Sequence, residues 1–109
     1  MKGVELKFDA TREGAFVILE INHSDAARRF ELFEQFEQYK TLMEKDFPEG
    51  LIWNFAYVRE CGTEVCRIYT HKPGIDIHRR IHWMDFYRFM SSEMLKLEKA
   101  FRQVKEAIE

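Results

Sequence analysis

The sequence predicts a single α+β domain of order ββαββα, with four strands in one mostly antiparallel sheet and two helices packed on one face. Two pairs of strand-like segments are each joined across a short Gly-containing turn. A long stretch free of Gly and Pro follows each pair. The 109 residues are enough for one core, so residues 1–109 are read as one domain.

The elements follow in chain order. Val4, Leu6 and Phe8 alternate with Glu5, Lys7 and Asp9, the period-2 pattern of a half-buried strand. Thr11 to Gly14 is the turn, with Gly14 free to take positive φ. Ala15 to Ile21 is apolar at nearly every position, which suits a central strand buried on both faces. Ser24 or Asp25 caps the next helix, which is expected to run from Ala26 to Phe47 and end at Pro48-Glu49-Gly50. At 100° per residue, Leu32, Phe33, Phe36, Tyr39 and Met43 share its inner face. Leu51 to Arg59 and Glu64 to Thr70 read as the second strand pair, joined at Glu60 to Thr63. His71 to Ile81 is a loop marked by Pro73-Gly74. The last helix is expected from Trp83 to Ile108. Trp83, Tyr87, Met90, Met94, Leu97, Phe101, Val104 and Ile108 alternate by steps of four and three, the seam of a helix packed along its length.

Composition excludes several classes. There are 17 Lys and Arg against 19 Asp and Glu, a formal charge of −2, which lacks the cationic excess of a strongly basic nucleic-acid binder. Ten Phe, four Tyr and two Trp are too many for a disordered segment. No apolar run approaches the length of a membrane span, about 18 residues. Met1 to Glu5 lead into the alternating pattern without an apolar signal segment, so a cytoplasmic protein is expected. Cys61 and Cys66 are read as two reduced thiols, since two cysteines make neither a disulfide framework nor a zinc signature.

No catalytic constellation emerges. Glu5-Leu6-Lys7 has the E-x-K spacing of a metal-dependent nuclease strand, but that chemistry needs a further acidic ligand, usually upstream. The alternation of a half-solvated strand accounts for it. His78 and His82 are four apart, with Arg79 and Arg80 between them disfavouring a cation, and no third ligand stands nearby. No metal or cofactor is expected. His82 is instead expected near a helix N-terminus, neutral and capping. Lys72, His78, Arg79, Arg80 and Arg88, with Tyr69 and Trp83 near them, form the one locally basic stretch, but Asp76 and Asp85 interleave. Arg67 stands on an otherwise apolar strand, so it needs a partner, and Glu20 or Glu5 across the sheet would serve. The candidate ligand or phosphate site is therefore Arg67, Tyr69, Lys72, His78, Arg79, Arg80, His82 and Trp83. Phe30, Phe86 and Phe89 fall off the helix seams, which points to a covered second face such as a dimer interface.

The runs Ile21-Asn22-His23-Ser24-Asp25, Phe33-Glu34-Gln35-Phe36-x-x-x-Lys40-Thr41-Leu42, Trp53-Asn54 and Gly62-x-x-Val65-x-Arg67-Ile68-Tyr69, with Trp83, resemble the bacterial domain of unknown function numbered 4268. The resemblance runs from Val4 to Glu109. Its most specific piece is Arg67-Ile68-Tyr69 with the following loop and Trp83. The chain departs from the family pattern at Cys66, where Ser is usual, and at His82-Trp83-Met84, where Asp-Trp-Pro is usual. The resemblance implies an additional N-terminal segment in free-standing relatives. Family members occur alone or at the end of longer proteins with nuclease-like or restriction-linked domains. The resemblance therefore implies a soluble bacterial domain and a context of nucleic-acid defence.

Three functional readings stand at this point. The first is a non-catalytic interaction module that self-associates, with a homodimer as the expected partner state. The second is a nucleic-acid-linked accessory domain of a restriction or defence system. The third is a small enzyme with a pocket near Arg67, His78, His82 and Trp83.

Overall fold

A computed structural model describes residues 1–108. The order is β1 (Val4–Thr11), β2 (Gly14–Ile21), α1 (Ala26–Gln38), α2 (Lys40–Met43), β3 (Ile52–Val58), β4 (Glu64–Lys72) and α3 (Trp83–Ile108), with a 3₁₀ turn at Arg80–His82 before α3. The four strands form one sheet in the order β1-β2-β4-β3, and every pairing is antiparallel. The two hairpins meet at β2 and β4, with Leu19 opposite Ile68 and Glu20 opposite Arg67. The apolar run of β2 thus lies in the interior of the sheet, where a strand without hydrophilic alternation belongs.

Alternation along β2 turns Val17, Leu19 and Ile21 toward the helices. They pack there with Cys66 and Ile68 of β4, Leu32, Phe33 and Phe36 of α1, and Leu97, Ala100 and Val104 of α3. Asp25 caps α1, its carboxylate accepting from the Ala27 N–H at 3.0 Å.

The structure departs from the expected elements at three places. The helix expected from Ala26 to Phe47 breaks at Tyr39, whose φ of −102° and ψ of 25° leave the helical well. The break is made by tertiary contacts. It lets both Met43 and Phe47 reach the core, and it brings Glu44 to β3. Glu44 Oε2 accepts from the Leu51 N–H at 2.7 Å and from Trp53 Nε1 at 3.0 Å, which clamps the turn before β3.

The second departure is the α3 seam. Trp83 is 49% exposed and Tyr87 67% exposed, whereas Phe86 is 2% exposed. A straight helix drifts about 20° per heptad from a 3.5-residue repeat. Over the 17 residues back from Val104 to Tyr87, roughly 50° of drift rotates Tyr87 out and Phe86 in. Phe86 packs against Ala15 and Ile75, so the loop after β4 covers it. Phe89 is half-buried against the same cluster. These two residues are therefore covered within the chain, and the interface expected at them is not required by their exposure. The third departure is in strand length. β1 extends to Thr11 and β4 to Lys72, because Thr11 pairs with Gly14 and Lys72 with Ala15 on β2, and the Ile77 N–H donates to the Thr11 carbonyl at that end of the sheet.

Gly14 has φ +127°, and a Cβ there would collide with the Lys72 carbonyl oxygen on the paired strand. Gly62 has φ +91° but faces open space. Gly62→Ala is expected to cost about 1–2 kcal/mol from backbone strain alone. Gly14→Ala should exceed that by about 1–3 kcal/mol through overpacking. Urea denaturation of both variants measures the difference.

Candidate functional site

Both long helices lie on one face of the sheet, and the opposite face carries no helix among the described residues. That open face receives Glu5, Lys7 and Asp9 of β1, Phe16, Ile18 and Glu20 of β2, and Arg67, Tyr69 and His71 of β4. Glu20 is the only charged residue of β2, and it is 0% exposed. A buried carboxylate needs charged partners and filled acceptor sites. Glu20 Oε2 accepts from Arg67 Nε at 3.0 Å and pairs with Arg67 Nη2 at 2.9 Å. Glu20 Oε1 accepts from Asn22 Nδ2 at 3.2 Å and from Arg59 Nη2. Lys7 Nζ lies 3.4 Å from both oxygens. The partner anticipated for Arg67 is thus present. Arg67 also stacks on Tyr57, its guanidinium carbon 3.8 Å from the ring centroid.

Burial pushes the Glu20 carboxyl up. The Arg59 and Asn22 hydrogen bonds and the charges of Lys7 and Arg59 outweigh burial, so the group titrates below the usual carboxylate range. Glu44 behaves alike: burial raises it, and the Leu51 N–H, Trp53 Nε1 and the charge of Lys40 bring it below.

The expected site residues separate into two groups. Arg67 and Tyr69 lie on the open face and border a cavity of about 270 Å³ whose lining includes none of the residues of the loop before α3. Lys72 instead borders a shallow hollow with Asp85 and Arg88 at the start of α3. His78, Arg79, Arg80, His82 and Trp83 belong to the turn that leads into that helix. His82 does not cap α3, since its Nδ1 accepts from the Asp76 N–H at 2.9 Å. Trp83 Nε1 donates to the Ile77 carbonyl at 2.7 Å, and Arg80 sits over the Trp83 ring. These bonds fold the loop onto itself, and its imidazole and indole groups serve that turn. Among the described residues, no group of three or more His, Cys, Asp or Glu could hold a metal ion. Glu5 and Lys7 of the E-x-K run are drawn into the Glu20 cluster, Lys7 lying 3.5 Å from Glu5.

The sequence profile of the family described as Domain of unknown function (DUF4268) matches residues 1–105. The chain belongs to this family. Comparison with curated proteins and with solved structures gives no match. In this DUF4268 domain, the residues that sequence reasoning passed over are Arg59 and the cavity walls Phe16 and Tyr57. Arg59 follows β3 directly, and only the hairpin geometry brings it to Glu20, 39 positions away. No helix among the described residues is long and apolar enough to cross a membrane.

The two thiols of the DUF4268 domain are free, one exposed and one buried. The hydrogen bonds of the Thr63 side chain and backbone, with the charge of Arg59, draw Cys61 below the ordinary thiol range. Burial pushes Cys66 up. A disulfide-exchange reagent should therefore titrate one thiol in the native protein and two after denaturation. For the Glu20 cluster, Glu20→Gln leaves three cations facing a neutral amide. It should cost about 3–5 kcal/mol at neutral pH, as breaking a buried pair does. The folded-state value of Glu20 lies below the unfolded one. Its stabilisation is therefore complete above about pH 4.5 and lost as pH falls through the lower folded value. Urea midpoints against pH should show this acid-side loss in the native chain and a flatter profile in Glu20→Gln.

Proposed function

We propose that this domain is a non-catalytic interaction module that self-associates through the β3 edge. The observation that carries this reading is the contrast between the two edges of the sheet. The edge strand β1 (VELKFDAT) presents Glu5, Lys7 and Asp9, the usual protection against unwanted pairing. The edge strand β3 (IWNFAYV) carries no charge at all. Its Ile52, Phe55 and Val58 are exposed, Phe55 at 58%. A bulge between Asn54 and Tyr57 interrupts the ladder beside Phe55, whose ring meets Phe30 and Phe33 of α1 at 6.3 and 6.4 Å between centroids. The three rings, with Glu34 and Glu37, line an open groove of about 390 Å³.

An uncharged edge continued by exposed aromatics is a surface that a partner covers. A second copy is the partner proposed. Two β3 strands can pair antiparallel about a twofold axis, which places the same patch on both sides of the contact. The pairing would join two four-stranded sheets and bury both sets of rings.

Light scattering or sedimentation should give twice the chain mass at micromolar concentration. Phe55→Lys should return the monomer with an unchanged circular dichroism spectrum, since Phe55 lies outside the core. Phe8→Lys, on the guarded edge, should leave the dimer intact. A native chain that stays monomeric at high concentration refutes the reading.

A nucleic-acid-linked role has one supporting feature, the exposed His78, Arg79 and Arg80 beside the half-exposed Trp83. Salt-dependent retardation of DNA or RNA, abolished by Arg79→Ala with Arg80→Ala, would favour it.

A further inference from the structure

The cavity on the open face has a composition that the Glu20 cluster does not explain. Its floor is Ile18, which is 1% exposed, and its walls are the rings of Phe16, Tyr57 and Tyr69. Phe16 and Tyr69 lie 6.0 Å apart between centroids, and His71 stacks on Phe16 at 4.1 Å. The rim holds Asp9, Glu13 and Glu60, whose side chains form no ion pair among the described residues. The one cation at the cavity, Arg67, already has its charge engaged by Glu20. Aromatic faces and unpaired carboxylates both attract positive charge, and the carboxylates repel anions.

We infer that this cavity binds an organic cation, an alkylammonium or guanidinium group on a short apolar stem. The stem lies on Ile18 among the rings, and the charged head meets the rim carboxylates. A volume of about 270 Å³ suits one such group, since sites for drug-sized ligands begin near 300 Å³. The aromatic surface already holds a guanidinium, because Arg67 rests on Tyr57 at 3.8 Å. The lining of this site shares no residue with the Phe30, Phe33 and Phe55 groove.

The test is a titration of the ¹H–¹⁵N spectrum of the full chain with n-butylguanidinium, n-pentylammonium, 1-pentanol and butyrate. The two cations should shift the amides around Phe16, Tyr57 and Tyr69, while the neutral alcohol and the anion should not. Glu13→Gln combined with Glu60→Gln should weaken cation binding about tenfold without changing the urea midpoint, because both carboxylates are exposed and unpaired. Tyr69→Leu should weaken it comparably. Acetyl-Gly-Lys-Gly-amide distinguishes the source of the cation. Saturation by the peptide at lower concentration than n-pentylammonium assigns the site to a basic side chain of a partner, and the reverse order assigns it to a free amine. Equal shifts from 1-pentanol and n-pentylammonium, or cation binding indifferent to the double substitution, would overturn the inference.

Discussion

Every strand of the sheet is tied to one buried carboxylate. Glu20 stands on β2, Lys7 reaches it from β1, Arg67 from β4, and Arg59 from the turn just past β3. A carboxylate withdrawn from water loses several kcal/mol of hydration, and it persists only where its partners are complete. Glu20 has four donors, counting Asn22, so its removal from water is compensated by all parts of the sheet at once. This sets the register as well. Sliding β2 by one residue would turn Glu20 into the helix-side core and Leu19 onto the open face.

The same arrangement explains why the open face tolerates having no helix over it. Ile18 and Val65 are buried there although no helix lies above them among the described residues. Side chains lying along the sheet provide the cover. Arg67 rests on Tyr57, and Phe16 stacks on His71 with Tyr69 tilted beside it. A cover made of rings and aliphatic stems leaves a hollow between them, bordered by whichever acids the strand ends supply. The helix side is different. Its core is continuous from β2 to α3, and the loop after β4 closes its far end with Ile75 against Phe86.

The two edges of the sheet divide the surface further. β1 alternates charge with apolar residues and keeps solvent at its outer ladder, whereas β3 exposes apolar side chains beside α1. The β3 edge and the open-face cavity therefore present different chemistry. One is uncharged and apolar. The other is concave, aromatic and acidic.

Much of the fold was legible before any coordinates. Period-2 alternation in Val4 to Asp9, the unbroken apolar run of β2 and the Asp25 cap each act locally, so residue order alone determines them. The pairing of Arg67 was legible for a related reason: a lone charge on an apolar strand requires an opposite charge within the sheet, and Glu20 was one of two available. Other features depended on distance in space. The break at Tyr39 has no Gly or Pro to announce it and exists because Glu44 bonds to Leu51 and Trp53. The exchange of Tyr87 for Phe86 depends on helix drift and on Ile75 arriving from a loop. Only the tertiary structure separated Arg67 and Tyr69 from the basic loop, because strand alternation sends those two to the open face while the loop turns toward α3. By itself the sequence determined the order of the strands and long helices, the central strand and the need for a buried ion pair. Which side chains share a surface was decided by strand order and register, which bring together residues as distant as Glu20 and Arg67.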